Sequence, residues 1–102
     1  MIKFGIHKVK GNSMLPTIEN GSYVLFFFLN PLKMSSNYIY KIIHPSLGLI
    51  IKRFKYTDND GYLWFEGDSQ ESTSSLKIGK INRNQVLGRL FFVISRHKIK
   101  FL

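Results

Sequence analysis

The sequence predicts a mainly β protein, folded as a compact antiparallel twisted sheet or a partly closed barrel. Short apolar runs rich in aromatic and β-branched residues support this, as do the turn-forming residues between them. In addition, no stretch shows the 3.6-residue apolar period of a long amphipathic helix. The 102 residues contain no linker, repeat or low-complexity segment, so a single domain over residues 1–102 is expected.

The first half of the chain contains one expected helical turn and three expected strands. The helical turn covers residues 13–19, with Pro16 near its start, where proline is tolerated. Residues 22–29 (SYVLFFFL) are expected to form a buried strand that ends at Asn30-Pro31. Residues 38–44 (YIYKIIH) and 49–56 (LIIKRFKY) follow as the arms of a hairpin, with a turn at residues 44–48.

The second half continues the same pattern. The turn sequence DNDG at residues 58–61 leads into an expected strand at 62–66 (YLWFE). A polar loop is expected over residues 68–75. The last expected strand covers residues 86–95 (VLGRLFFVIS), with Gly88 at a bulge or bend.

Charge restricts the classes of partner. Fifteen Lys and Arg against six Asp and Glu give a net charge of +9, which favours an anionic partner. The basic residues are scattered, so we expect general surface charge or a surface that faces a membrane. Nucleic-acid binding is the less favoured alternative, based on this charge and on aromatics such as Tyr38 and Tyr62.

Cysteine is absent, which excludes disulfides, thiol catalysis and zinc-thiolate sites. The three histidines lack ligand spacing, so neither a metal nor another cofactor is expected. The longest apolar run, residues 24–29, is far shorter than the roughly 20 residues of a membrane span. Without a signal-like segment, a cytoplasmic location is expected, with peripheral membrane contact through Lys98, Lys100, Phe101 and Leu102.

Ser13 lies in the most informative segment, GNSMLPT at residues 11–17. A serine on a glycine-containing bend before a helical turn can present its hydroxyl beside backbone N–H groups, as an oxyanion hole requires. Alternatively, Ser13 only caps the turn.

Lys52 lies in the middle of the apolar run LIIKRF. Strand alternation places it on one face with Ile50 and Phe54, which is the expected inner face. Burial there would lower its pKa, and a neutral amine can accept a proton from a serine hydroxyl. Alternatively, Lys52 reaches water from an edge strand.

Four segments in order resemble the conserved boxes of type I signal peptidases and their relatives. SMLPT and ENGSYVLF at residues 13–26 resemble the serine box and the strand after it, and IHPSLGLIIKRF at 43–54 resembles the lysine box. FEGDS at 65–69, with Ser72, Ser75 and Ile78-Gly79, resembles the third box, and Leu87-Gly88-Arg89 the closing strand. The family's Asp-Ser-Arg is replaced by Ser74-Ser75-Leu76, for which Arg53 or Arg89 could compensate.

The chain therefore resembles the signal peptidase and LexA-like superfamily of Ser–Lys peptidases, and most of all its compact branch of nickel-type superoxide dismutase maturation proteases. The resemblance implies the catalytic-domain fold of that superfamily and an endopeptidase that cleaves after a small residue. Ser13 would be the nucleophile, Lys52 the general base and Ser72 a hydrogen-bond partner of the Lys52 amine. Gly11 occupies the position of the oxyanion-hole hydroxyl that some relatives carry, and Met14 would line the substrate groove.

The implied partner is a protein or peptide substrate bound as an extended strand. The changed third box also leaves open an alternative function, a weakly active or inactive peptide-binding or regulatory domain on the same fold.

Overall fold

Seven strands form one antiparallel, open sheet in the computed structural model, which describes residues 3–28, 34–70 and 74–102. The strands are β1 (Lys3–Lys8), β2 (Tyr23–Phe28), β3 (Ile39–His44), β4 (Gly48–Thr57), β5 (Leu63–Glu66), β6 (Val86–Ile94) and β7 (Ile99–Phe101). A short helix α1 (Ser75–Ile78) and a 3-10 turn (Arg83–Gln85) lie between β5 and β6. The predicted mainly β class is confirmed.

The strand order is β1-β2-β6-β3-β4-β5, so a late strand lies between the two earlier hairpins. One edge of β6 pairs with β2, while its other edge pairs first with β3 and then with β7. The hairpin β1–β2 carries the serine segment and the hairpin β3–β4 carries Lys52. Strand β6 therefore joins the two halves of the candidate site.

All five predicted strands are present, as β2 to β6, although Leu29 and the expected stop at Asn30-Pro31 lie outside the described residues. The structure adds β1, β7 and α1, which the sequence did not indicate. A helical turn was expected over residues 13–19. The structure instead has hydrogen-bonded turns at residues 13–17, and the Ile18 N–H donates a hydrogen bond to the Met14 carbonyl. The Leu15–Pro16 peptide bond is cis.

The core consists of two apolar clusters. The first lies between the serine segment and the sheet, and its members are Val9, Met14, Ile18, Val24, Phe26, Ile39, Ile51, Leu90 and Val93. The second lies between the β3–β5 sheet and α1 with the segment after it, and its members are Tyr40, Ile42, Phe54, Leu63, Phe65, Ile78 and Ile81. Because Ile51 belongs to the first cluster and Phe54 to the second, β4 is packed on both faces at the position of Lys52.

Gly88 lies at an irregularity of the sheet, as predicted. The pairing of β3 with β6 shifts between Lys41–Gly88 and Ile42–Val86, which leaves Leu87 as an extra residue in β6. A Cβ at position 88 would lie 2.7 Å from the carbonyl oxygen of Phe27. Glycine is therefore required here, because the backbone of β2 approaches too closely for any side chain.

Candidate active site

The serine segment is a loop that closes on itself between β1 and β2. The Val9 N–H donates to the Ser22 carbonyl, and the Gly21 N–H donates to the Val9 carbonyl, both at 2.8 Å. Met14 and Ile18 point into the first core cluster and are almost completely buried. These contacts hold the intervening backbone in place, so Ser13 has a defined position next to the sheet.

Ser13 is half-buried, and its hydroxyl makes no hydrogen bond with the described part of the chain. Its carbonyl accepts a 2.9 Å hydrogen bond from the Ser69 N–H, which joins the serine segment to the segment after β5. Since nothing in the described ranges donates to the Ser13 hydroxyl, the structure does not support the capping alternative. The hydroxyl remains available to a substrate carbonyl.

Lys52 is only 4% exposed and lies directly opposite Tyr40 in the β3–β4 ladder. Its amine makes no hydrogen bond or ion pair with the residues that the structure describes. Burial lowers the pKa of Lys52 because no nearby charge compensates for the lost solvation of the ammonium ion. The alternative in which Lys52 reaches water from a strand edge is wrong, since β4 lies inside the sheet between β3 and β5.

Ser13 and Lys52 line the same cleft, which has a volume of about 310 Å³. It lies between the end of β1, the serine segment and the first half of β4. A half-buried serine and a buried lysine of lowered pKa thus share a cavity large enough for part of a peptide. The other lining residues are residues 7–10, Met14 and residues 49–51.

Asp68 connects all three segments that carry the predicted site. Arg53 of β4 donates to it twice, from Nε at 2.8 Å and from Nη2 at 2.7 Å. The Thr17 hydroxyl of the serine segment donates to the same carboxylate. Burial alone would raise the pKa of Asp68, but these hydrogen bonds and the charges of Arg53 and Lys55 outweigh it and lower the pKa. We call this group the Asp68 junction.

The other predicted site residues have different outcomes. Ser72 lies outside the described residues. Gly11 is exposed, has a positive φ of 92°, and its N–H already donates to the Asn20 side chain at 2.9 Å. Met14 does line the cleft, but at 1% exposure it belongs mainly to the core. In the described part of the chain the Ser13 N–H has no hydrogen-bond acceptor, which leaves it as the candidate oxyanion donor.

The structure distinguishes the two arginines considered for the third box. Arg53 pairs with Asp68 and also donates to the Asn37 carbonyl. Arg89 instead lies over two aromatic rings, 4.0 Å from the centroid of Tyr38 and 4.8 Å from that of Phe27. Arg53 is thus the arginine that holds the acidic residue of this box.

His44, expected as a turn residue beside Pro45, is instead the last residue of β3, and its ring holds the turn that follows. Its Nδ1 accepts hydrogen bonds from the Ser46 and Leu47 N–H groups, and its Nε2 contacts the Ile78 carbonyl at 2.8 Å. It therefore attaches the β3–β4 hairpin to α1. No cluster of three His, Asp or Glu side chains suited to a metal ion occurs in the described ranges.

The sequence did not reveal that β1 forms one wall of the cleft. His7, Lys8 and Lys10 line it, but their segment mixes glycine, lysine and histidine and has weak strand propensity. Only the pairing with β2 makes this segment a strand. The sequence signal for this strand is the alternation that places Phe4, Ile6 and Lys8 on one face and Gly5 and His7 on the other.

Comparison of the chain with protein families, with curated proteins and with solved structures found no match. Within residues 3–28, 34–70 and 74–102, no helix has the length and apolar character needed to cross a lipid bilayer.

Proposed function

We propose that this protein is a serine endopeptidase in which Ser13 is the nucleophile and Lys52 the general base. The observation that carries the proposal is the almost fully buried Lys52 side chain, which has no ion-pair partner among the described residues and lines the same cleft as Ser13. An ammonium ion is poorly solvated there, so burial lowers the pKa of Lys52 and favours the neutral amine that a base requires. Ser72 would support the Lys52 amine by a hydrogen bond.

The chemical steps follow from these two groups. Lys52 Nζ takes the proton of Ser13 Oγ as that oxygen attacks the scissile carbonyl, and the Ser13 N–H stabilises the resulting oxyanion. The C–N bond then breaks, and Lys52 returns the proton to the departing amine. A water molecule, deprotonated by Lys52 in the same way, hydrolyses the acyl-enzyme and regenerates Ser13. The cleaved bond is expected to follow a small residue.

The test is to incubate the protein with a proteome-derived peptide library and identify new N-termini by mass spectrometry. The wild type should generate them, while Ser13→Ala and Lys52→Met should each lower the rate at least about a thousandfold. Lys55→Met is the matched control, because Lys55 lies on the same strand but is exposed and paired with Glu66 at 2.9 Å. Activity should rise with pH as Lys52 loses its proton.

Undiminished cleavage by Ser13→Ala or Lys52→Met would overturn the assignment. If the wild type cleaves nothing and still binds peptides in the cleft, the protein is a peptide-binding domain rather than an enzyme.

A second feature supports peripheral contact with an anionic membrane. Directly paired residues share one face of a sheet, and Ile6, Leu25, Phe92 and Phe101 form such a row across four strands. Ile6 and Phe101 are 62% and 79% exposed. We call this surface, together with Phe4 and Ile99, the outer apolar face.

The net charge of +9 favours anionic lipid over a second copy of this chain as the partner of this face, since two copies repel each other. Leu102 was expected to contact the membrane, and this expectation is corrected. It packs against the first core cluster, and its N–H donates to the Phe91 carbonyl at 3.1 Å.

A further inference from the structure

The cleft is strongly basic on one side and apolar on the other. Lys8 and Lys10 are exposed and line it, and the half-buried His7 of β1 also lines it. Burial, followed by the charges of Lys41 and Lys10, lowers the pKa of His7, so the surroundings of this residue disfavour a further positive charge. Leu49, Ile50 and Ile51 of β4 provide the apolar side.

The cations of the cleft lack acidic partners, although the protein does form ion pairs elsewhere. In the part of the chain that the structure describes, Asp68 pairs with Arg53 and Glu66 pairs with Lys55. No carboxylate lines the cleft, and neither Lys8 nor Lys10 has an ion-pair partner in the described ranges. An anionic group bound here would therefore reduce the repulsion among the positive charges of the cleft, which no acidic side chain of the described residues compensates.

The shape of the wall favours a peptide over other anions. Strand β1 is the terminal strand of the sheet order, so one of its edges has no strand partner among the described residues. An extended peptide can add to such an edge through its backbone and direct alternate side chains into the cleft. The apolar residues of β4 would then contact small or apolar side chains, while Lys8 and Lys10 would meet those nearer the rim.

We propose that the cleft selects peptide segments that carry an acidic side chain within a few residues of the bond placed at Ser13. Lys8 and Lys10 bind that carboxylate at the rim and so act as specificity determinants. The carboxylate stays at the rim, away from Lys52. This inference rests on the proposed peptidase function for the place of the bond, but the binding preference itself does not require cleavage.

The test measures binding without turnover. Ser13→Ala protein is titrated into two fluorescently labelled pools of degenerate decapeptides that are identical except for two central positions, fixed as Glu in one pool and Gln in the other. The Glu pool should bind about tenfold more tightly at low salt. The double variant Lys8→Gln/Lys10→Gln should lose that preference. Lys77→Gln/Lys98→Gln removes the same charge at exposed positions outside the cleft and should keep it.

Equal affinity for the two pools, or a Glu preference that survives in Lys8→Gln/Lys10→Gln, would overturn the inference. A single-stranded oligonucleotide is tested in parallel. If binding of the oligonucleotide depends on Lys8 and Lys10 while the peptide pools do not bind, the cleft is a nucleic-acid site and the inference fails. The two proposals fail separately: Glu preference without cleavage by the wild type rejects only the peptidase, and cleavage without Glu preference rejects only the acidic selection.

Discussion

At the scale of single residues, Lys52 opposes the stability of the fold that contains it. The Lys52 side chain is 4% exposed and has no ion-pair partner in the described ranges, so its charged form loses solvation, and the lowered pKa expresses that cost. Lys52→Met keeps the length of the side chain and removes the charge. We expect this change to raise the free energy of unfolding at pH 7 by about 1–3 kcal/mol, measured by urea denaturation.

The pH dependence gives this prediction a second readout. The folded pKa of Lys52 lies below the unfolded value of 10.5, so the unfolded chain binds more protons between these two values. The stability of the wild type therefore increases with pH across that window, and the advantage of Lys52→Met should disappear as the pH approaches 10.5. Lys55→Met should show no such trend, and a less stable Lys52→Met at pH 7 would contradict the argument.

Asp68 has the opposite effect on stability. Its carboxylate is 13% exposed and accepts hydrogen bonds from Arg53 and Thr17, so Asp68→Asn should lower the free energy of unfolding by about 1–3 kcal/mol at pH 7. Because its folded pKa lies below the ordinary 3.8, its stabilisation is complete above that pH and disappears as the pH falls through the folded pKa. Denaturation of both proteins between pH 7 and pH 2.5 checks this. A difference that does not change in acid would mean that the charge of Asp68 is unimportant.

The residues of the candidate site were predictable to different degrees. Ser13 and Lys52 each stand out in the sequence, one on a glycine bend and the other inside an apolar strand, and the structure brings both to one cleft. The sequence left Arg53 and Arg89 as alternatives, and it did not indicate Thr17 as a partner of Asp68. Thr17 is 51 residues away and Arg53 is 15, and only the folded sheet brings them to one carboxylate. Local patterns cannot encode such contacts.

At the scale of elements, the strands that carry apolar alternation were predictable, and those stabilised only by a neighbour were not. The β3–β4 hairpin has both a strong turn and apolar arms, so its bounds agree with the prediction to within one residue. Strands β1 and β7 lie at the margins of the sheet, and half or more of their side chains are exposed. Their sequences therefore carry little of the apolar period that a prediction needs.

Gly88 provides a test of close packing between β6 and β2. Gly88→Ala should destabilise the protein by about 1–3 kcal/mol, because the new Cβ would meet the Phe27 carbonyl oxygen at 2.7 Å. Gly5→Ala is the comparison, since the three atoms nearest to its Cβ all belong to the ring of Phe26. A Cβ at position 88 would also lie 2.8 Å from Phe26 Cδ2, but its clash with the Phe27 carbonyl oxygen involves backbone. Adding Phe26→Leu should therefore restore more of the stability lost in Gly5→Ala than of that lost in Gly88→Ala. Thermal unfolding of the four variants measures this, and equal rescue of both would contradict it.

At the scale of the whole molecule, charge and the outer apolar face act together. Co-sedimentation with vesicles should show binding to bilayers that contain about 30% anionic lipid and little binding to neutral ones, with a decrease at high salt. Ile6→Ser/Phe101→Ser should reduce the binding because both side chains are exposed on that face. Ile43→Ser/Leu47→Ser is the matched control, since these exposed residues lie in the β3–β4 hairpin. Equal binding by both double variants would reject the outer apolar face as the contact.

The position of β6 determines when the site can form during synthesis. The strand that joins the serine-bearing hairpin to the lysine-bearing hairpin is translated after both of them. Until residue 94 has left the ribosome, Ser13 and Lys52 lie on two hairpins that no strand connects. The proposed peptidase would therefore remain inactive until β6 has left the ribosome and joined the two hairpins.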